Sequence, residues 1–317
     1  MIALADIHAA RERIAPHVKL TPVMTSVELD DAAGAKLFFK CENFQKSGAF
    51  KARGAHNAVF ALSKSEAKAG VITFSSGNLG AAVALAARRR GIPAQIVVPE
   101  NAPAAKVEAA RRYGGKIIFS PPNFAAREAI AAELQRSTGA FLIHPLENPL
   151  VLAGQGTAAL EFIEAVPDLQ IMIAPIGGGG LVSGTAIAAK GVNPTIRIYG
   201  AEPLGADDAA RSLQAGHHIP QTNPQTIADG LRASLGQIAF PIIRELVDDI
   251  LVVSEESIIE AMRLAWEMLK IIIEPSSAVV LAAVLSHRKR VEGKRIGLIL
   301  SGGNVDLDRL PWMPPTP

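Results

Sequence analysis

Lys51 stands in the run Ser47-Gly48-Ala49-Phe50-Lys51-Ala52-Arg53-Gly54-Ala55, after the strand-like stretch Lys36-Leu37-Phe38-Phe39-Lys40. A lysine that condenses with an aldehyde needs its backbone close to the partner and its ammonium partly desolvated, so that the amine can lose its proton. Small residues on both sides permit that; an ordinary surface lysine needs no such frame. Three glycine-containing junctions suit the same chemistry. Gly177-Gly178-Gly179-Gly180 follows the apolar run Ile171-Met172-Ile173-Ala174 and opens a helical pattern over 181–190. Successive N–H groups without side chains can converge on an anion there, and the helix N-terminus adds partial positive charge. Val182 and Ser183 break a Gly-x-Gly-x-x-Gly spacing and no Gly-Lys-Ser/Thr follows, so dinucleotide and nucleotide motifs are disfavoured. Ser301-Gly302-Gly303-Asn304 and Ser75-Ser76-Gly77-Asn78 each follow an apolar run, at the carboxyl end of a strand where open α/β sheets keep their ligands.

Other polar groups are less specific. Glu202, Asp207 and Asp208 follow the strand-like run 196–201, and an oxygen-only set suits Mg2+ or Ca2+ as well as it suits a solvated acidic turn. His217 and His218 diverge in a loop with no Cys or His at ligand spacing, which argues against zinc. Cys41 is the single cysteine, so no internal disulfide forms; it reads as a small core residue in a reducing cytoplasm.

The positioning elements alternate. Strand-like runs at 71–74, 95–98 and 116–119 are followed by helical patterns at 78–90, 104–113 and 124–137. A second series of runs lies at 171–174, 196–201, 250–253 and 296–300, with helices between them. This is the rhythm of a mostly parallel sheet. The 317 residues suffice for two modest domains, and 49% hydrophobic with 5% aromatic residues predicts a core of Ala, Ile, Leu and Val. A formal net charge of +2 from scattered residues excludes a nucleic-acid or anionic-membrane surface. No apolar run reaches the roughly 18 residues of a membrane span, the first ten residues lack a signal-peptide pattern, and 311–317 reads as an irregular tail.

With Lys-Ser-Gly-Ala-Phe-Lys-Ala-Arg-Gly-Ala, Ser-Ser-Gly-Asn, Gly-Gly-Gly-Gly-Leu and Leu-Ser-Gly-Gly-Asn in this order, the chain from about residue 5 to about residue 308 resembles the fold-type II pyridoxal-phosphate enzymes, specifically the serine/threonine dehydratase and serine racemase family. The resemblance implies a tryptophan-synthase-β-like α/β fold of two open, twisted parallel-sheet domains with helices on both faces: a discontinuous large domain of 1–61 plus 148–317, and a small domain of 62–147. It implies pyridoxal 5′-phosphate joined to Lys51, its phosphate on Gly177, Gly178, Gly179 and Gly180, its pyridine nitrogen on Ser301 and its ring oxygen beside Asn78. Ser75, Ser76 and Asn78 would take the substrate carboxylate. A neutral serine hydroxyl does not hold that nitrogen protonated, which favours prompt loss of a β-substituent over transamination.

By the same resemblance Lys51 is the base for Cα–H. Ser76 would serve the opposite face, since racemases carry Ser there and dehydratases often Ala. Leu79 departs from the His of many relatives, and Ala233 from a substrate-contacting Ser of racemases. The racemase-like relatives bind a divalent cation through the equivalents of Glu202, the Ala206 carbonyl and Asp208, so Mg2+ is expected. Arg127 and Arg232 are candidates for a second substrate carboxylate. The leading expectation is a cytoplasmic, homodimeric ammonia-lyase that converts a β-hydroxy L-amino acid (serine, threonine or 3-hydroxyaspartate) to a 2-oxo acid and ammonia. A serine or aspartate racemase using Lys51 and Ser76 is the alternative, and a noncatalytic cofactor-binding protein the third reading. No regulatory extension is expected after about residue 308, as in catabolic or racemase-like relatives.

Overall fold

The computed structural model describes residues 2–75, 77–102 and 104–313. Its ten strands are β1 (Val23–Met24), β2 (Lys36–Cys41), β3 (Val71–Phe74), β4 (Ala94–Pro99), β5 (Lys116–Ser120), β6 (Phe141–Leu142), β7 (Ile171–Pro175), β8 (Arg197–Pro203), β9 (Asp249–Val253) and β10 (Arg295–Leu300). They form a six-stranded sheet of order β1-β2-β10-β7-β8-β9 and a four-stranded sheet of order β5-β4-β3-β6. All pairings are parallel except β1 with β2. The chain thus leaves the larger sheet after β2, builds the smaller one, and returns at β7.

Alternation along the strands shows why both faces are covered. Ile171 and Ile173 of β7 enter one apolar cluster with the helices Glu255–Leu269 and Pro275–Ser286; Met172 and Ala174 enter another with Pro149–Ala165 and Gly180–Val192. Successive residues of a strand point to opposite faces, so an uninterrupted apolar run is what a doubly covered parallel sheet requires. The smaller sheet repeats the arrangement: Ile96 and Val98 pack with the helices Lys51–Ala61 and Asn78–Arg90, while Ile72, Phe74 and Val97 pack against Phe124–Thr138. Membrane spanning is not a feature of these helices, none of which among the described residues is long and apolar enough.

The helices Lys51–Ala61, Pro149–Ala165 and Gly180–Val192 meet through glycines. A Cβ on Gly154 would fall 2.7 Å from Gly54 Cα, and one on Gly184 2.6 Å from the Gly156 nitrogen, so backbones touch where side chains would separate them. The tail differs from its reading as irregular chain alone: Trp312 meets Trp266 edge-on, centroids 5.3 Å apart. Residues 314–317 lie outside the described residues.

Candidate active site

The parallel order β2-β10-β7 puts three motifs side by side at the carboxyl edge of the larger sheet. Lys51 comes ten residues after β2, Ser301 follows β10, and the glycine run follows β7. Backbone contacts tie the first two together: Phe50 N–H donates to the Ser301 carbonyl (2.9 Å), Gly303 N–H to the Gly48 carbonyl (2.9 Å), and Ala49 forms an antiparallel bridge with Gly302. Asn304 closes the loop, its amide donating to the Ser47 carbonyl (2.7 Å) and to Asn78 Oδ1 (3.0 Å).

The glycine run is shaped by exclusion. A Cβ on Gly178 would lie 2.1 Å from Leu146 Cδ2, one on Gly180 2.6 Å from Gln155 Oε1, and Gly179 has φ +83°, a left-handed conformation that side chains resist. Among the described residues no acceptor takes the N–H groups of Gly177, Gly178, Gly179 or Gly180, and Gly179 is the N-cap of the helix Gly180–Val192. Unclaimed donors at a helix N-terminus are a fit for a phosphate.

Lys51 is half-buried, yet enough protein surrounds its ammonium that desolvation draws its pKa from 10.5 to about 8, with the Glu274 carboxylate opposing the fall. Its Nζ lies 4.6 Å from the Phe50 ring centroid. The cofactor lysine expected from the sequence therefore has the protonation behaviour a base near neutral pH needs.

From the smaller sheet, Ser75 follows β3 and donates its N–H to the Val97 carbonyl at 3.0 Å; its hydroxyl accepts from Gly77 N–H at 3.2 Å. Asn78 begins the helix Asn78–Arg90, and its side-chain amide donates to Glu274 Oε1 at 2.8 Å, leaving a second amide hydrogen for a ligand. Ser76 lies outside the described residues. Leu79 is core: it is buried with Val83 and Ile96, so its departure from histidine is spent on packing rather than on a pocket wall.

Three residues without a sequence motif join this site. Lys106 is ion-paired with Asp229, and its Nζ is 3.9 Å from Glu274 Oε2 and 3.9 Å from where a Gly77 Cβ would stand. Lys106 comes from the helix Ala104–Arg112 beside the smaller sheet, Asp229 and Glu274 from the larger half. Burial pushes the Glu274 carboxyl up to about 7, and Asp229 adds to the rise. The signals for this cluster are weak in the sequence, because Glu274 looks like any acid before a Pro-initiated helix and Asp229 like a turn residue.

The remaining candidates separate. Glu202, on β8, is buried and accepts N–H bonds from Ala209 (3.2 Å) and Ala210 (2.8 Å). Its pKa is raised well above the carboxylate range by burial and by the charges of Asp208 and Asp207. Asp208 is raised by burial and accepts from Leu235 N–H (2.8 Å); Ala206 is buried beside them, and Asp207 turns away to Arg211 (2.8 Å). The carboxylates of Glu202 and Asp208 are thus near one another, although no three His, Cys, Asp or Glu side chains converge anywhere among the described residues. Arg232 donates to the Thr226 carbonyl and Arg127 lies over the Phe124 ring. His218 bonds the Leu235 carbonyl (2.7 Å). Burial pushes the Cys41 thiol up to about 12, which makes it unreactive.

The sequence profile described as pyridoxal-phosphate dependent enzyme matches residues 14–302. A serine racemase of Oryza sativa subsp. indica is 55% identical over 311 residues, covering 96% of this chain and 92% of its own. A beta-hydroxyaspartate dehydratase of Paracoccus denitrificans (strain Pd 1222) is 48% identical over 307 residues, covering 97% and 98%. The solved structure of maize serine racemase superposes with a TM-score of 0.95 at 52% identity, covering 97% of this chain and 95% of that one.

Proposed function

The chain belongs to the fold-type II pyridoxal-phosphate-dependent enzymes, in the serine racemase and dehydratase family, and within it we propose an amino-acid racemase acting on serine or a closely related amino acid. Racemisation moves ahead of the ammonia-lyase expected from the sequence, because the rice and maize racemases share more identities with this chain than the Paracoccus dehydratase does. Elimination of water from a β-hydroxy amino acid, with hydrolysis of the released enamine to a 2-oxo acid and ammonia, is the second reading, favoured by that dehydratase and by the neutral Ser301 hydroxyl at the strand end.

The observation that carries the reading is the desolvated Lys51 amine, at one sheet edge with the unclaimed N–H groups of Gly177 to Gly180. Pyridoxal phosphate, when bound, withdraws electrons from the Cα of an attached amino acid and acidifies its Cα–H. The glycine N–H groups would hold its phosphate, Ser301 and Asn78 its ring, and Ser75 with the Asn78 amide the substrate carboxylate. Lys51, with its pKa near 8, is deprotonated often enough to take the Cα proton and return it to the same face. A proton on the other face makes the enantiomer, and Ser76 is assigned that role; loss of the β-hydroxyl as water instead leaves an enamine that water hydrolyses to the 2-oxo acid and ammonia.

The large-domain and small-domain division at 61 and 148 belongs to this reading, as do a homodimer and a divalent cation held by Glu202, the Ala206 carbonyl and Asp208. The two buried carboxylates, with pKa values raised chiefly by burial, support the cation.

The test is a panel of L-serine, L-threonine, L-aspartate and 3-hydroxyaspartate read for both D-amino acid and 2-oxo acid. Lys51→Ala is expected to lower either activity by about 10²–10⁴-fold or more, and borohydride is expected to fix the cofactor to Lys51. Ser76→Ala should remove the D-amino acid and spare much of the 2-oxo acid. Turnover retained in Lys51→Ala, or 2-oxo acid with no D-product from any substrate, would overturn the base assignment or the racemase reading respectively.

A further inference from the structure

Lys51 is held by main-chain bonds rather than by a side-chain cap. It is the first residue of the helix Lys51–Ala61, whose N-cap Phe50 makes no side-chain cap bond. The loop before it passes through two left-handed residues, Ser47 (φ 60°) and Gly48 (φ 76°), and the Ser47 hydroxyl is buried without a partner. Ala52 N–H reaches the Ala49 carbonyl (3.2 Å) and Arg53 N–H the Phe50 carbonyl (2.9 Å); the proposed chemistry needs one fixed position for the Lys51 nitrogen as well.

Arg53, two residues on, is the group that can fix it. Two residues are about 200° around a helix, so the Arg53 and Lys51 side chains leave on opposite sides. The Arg53 side chain is wholly buried. Its guanidinium grips two carboxylates, Glu42 with Nε (2.7 Å) and Nη2 (2.8 Å), and Glu161 with Nη1 (2.7 Å) and Nη2 (2.7 Å), and Nη1 also reaches the Thr157 hydroxyl (3.1 Å). Lys40 completes the group, donating to Glu161 (2.7 Å) and to the Thr21 carbonyl (2.8 Å). Lys40 from β2, Glu42 from the turn after it and Glu161 from the helix Pro149–Ala165 therefore meet, through Arg53, the first turn that carries Lys51.

Resting on the reading of Lys51 as the cofactor lysine, we propose that Arg53 is a positioning residue for it: the two-sided guanidinium clamp, in place of a helix cap, holds the Lys51 backbone where its amine can reach cofactor and substrate. Lysine is a poor substitute, since three donors on one nitrogen cannot reproduce the planar fork that makes two bonds to each carboxylate.

The test compares full-length holoenzymes of wild type, Arg53→Lys and Glu161→Gln. Each is read for melting temperature, for the lysine labelled by borohydride, for the pH midpoint of the cofactor's visible band, and for kcat and KM on the best substrate of the panel. Folded Arg53→Lys is expected to bind cofactor, shift that midpoint, and lose on the order of tenfold to a hundredfold in kcat, the scale of a misplaced catalytic group, with little change in KM. Glu161→Gln should show the same split more weakly. Unaltered kcat and midpoint in either folded variant would overturn the proposal, as would failure of both to fold, which would make Arg53 a folding determinant only. A borohydride label on another lysine would instead sink the underlying reading of Lys51.

Discussion

Two buried groups of charge stand three strands apart in the same sheet and are balanced in opposite ways. Around β2, Arg53 and Lys40 meet Glu42 and Glu161 in a closed set; burial opposes ionisation of Glu42, but the Arg53 guanidinium holds its pKa below the usual carboxylate range. At the end of β8, Glu202 and Asp208 accept main-chain N–H bonds and feel Arg211 only from a distance, and burial drives both up. Where a chain supplies its own counter-charges, buried acids stay ionised and hold structure together. Where the counter-charge stays at a distance, the acids either take up protons or recruit a cation from solution.

The largest way to break the contrast is to remove the counter-charge from the balanced group. Arg53→Met leaves two buried carboxylates facing one ammonium, and should lower the unfolding free energy by about 3–5 kcal/mol, measured by urea denaturation. The acidic group should behave in the reverse sense. Mg2+ is expected to raise the melting temperature, by an amount equivalent to about 2.7 kcal/mol at a hundred times its Kd, and Asp208→Asn should abolish the response; a melting curve indifferent to chelator and Mg2+ in wild type would remove the cation from the account.

Glu274 is an intermediate case, with Lys106 and Lys51 near it and an acid, Asp229, beside Lys106. Its folded pKa, about 7, exceeds its ordinary 4.5, so the stability linked to its proton is fully present below about pH 4.5 and is lost as pH rises through 7. Wild type should therefore lose stability relative to Glu274→Gln between pH 5 and 7, read as converging or crossing urea midpoints. Parallel midpoints would show that Glu274 is ionised throughout. The smallest effect belongs to a pair in water: Arg11 and Glu164 are 40% and 51% exposed, and Glu164→Gln should change stability by less than about 1 kcal/mol.

The same division governs what the sequence discloses. Strand 71–74 and helix 78–90 are found at the residues where periodicity puts them, because those signals are local. β1 and β6 have two residues each, too few to show alternation. The order β2-β10-β7, which sets Lys51, Ser301 and the glycine run at one edge, follows from pairings between residues hundreds apart and is not written in any single stretch. Arg53 is visible as part of a motif, but its partners lie 11 and 108 residues away. Lys106, Asp229 and Glu274 meet only when both sheets are in place, and nothing in their local sequence announces it.

The glycine contacts between helices have a mechanical consequence. With Gly54 against Gly154 and Gly156 against Gly184, backbone rests on backbone, and no rotamer change can open or close those seams. The helix that begins with Lys51 and the helix that begins at the glycine run are thereby machined into one block, their spacing cast at folding and deaf to whatever enters the cleft. Any compliance that accommodates substrates of different size has to come from the opposing jaw, Ser75, Asn78 and Lys106. Variation aimed at retuning substrate range is best spent on that jaw, because a single methyl added at Gly54, Gly154, Gly156 or Gly184 would move both halves of the anvil at once.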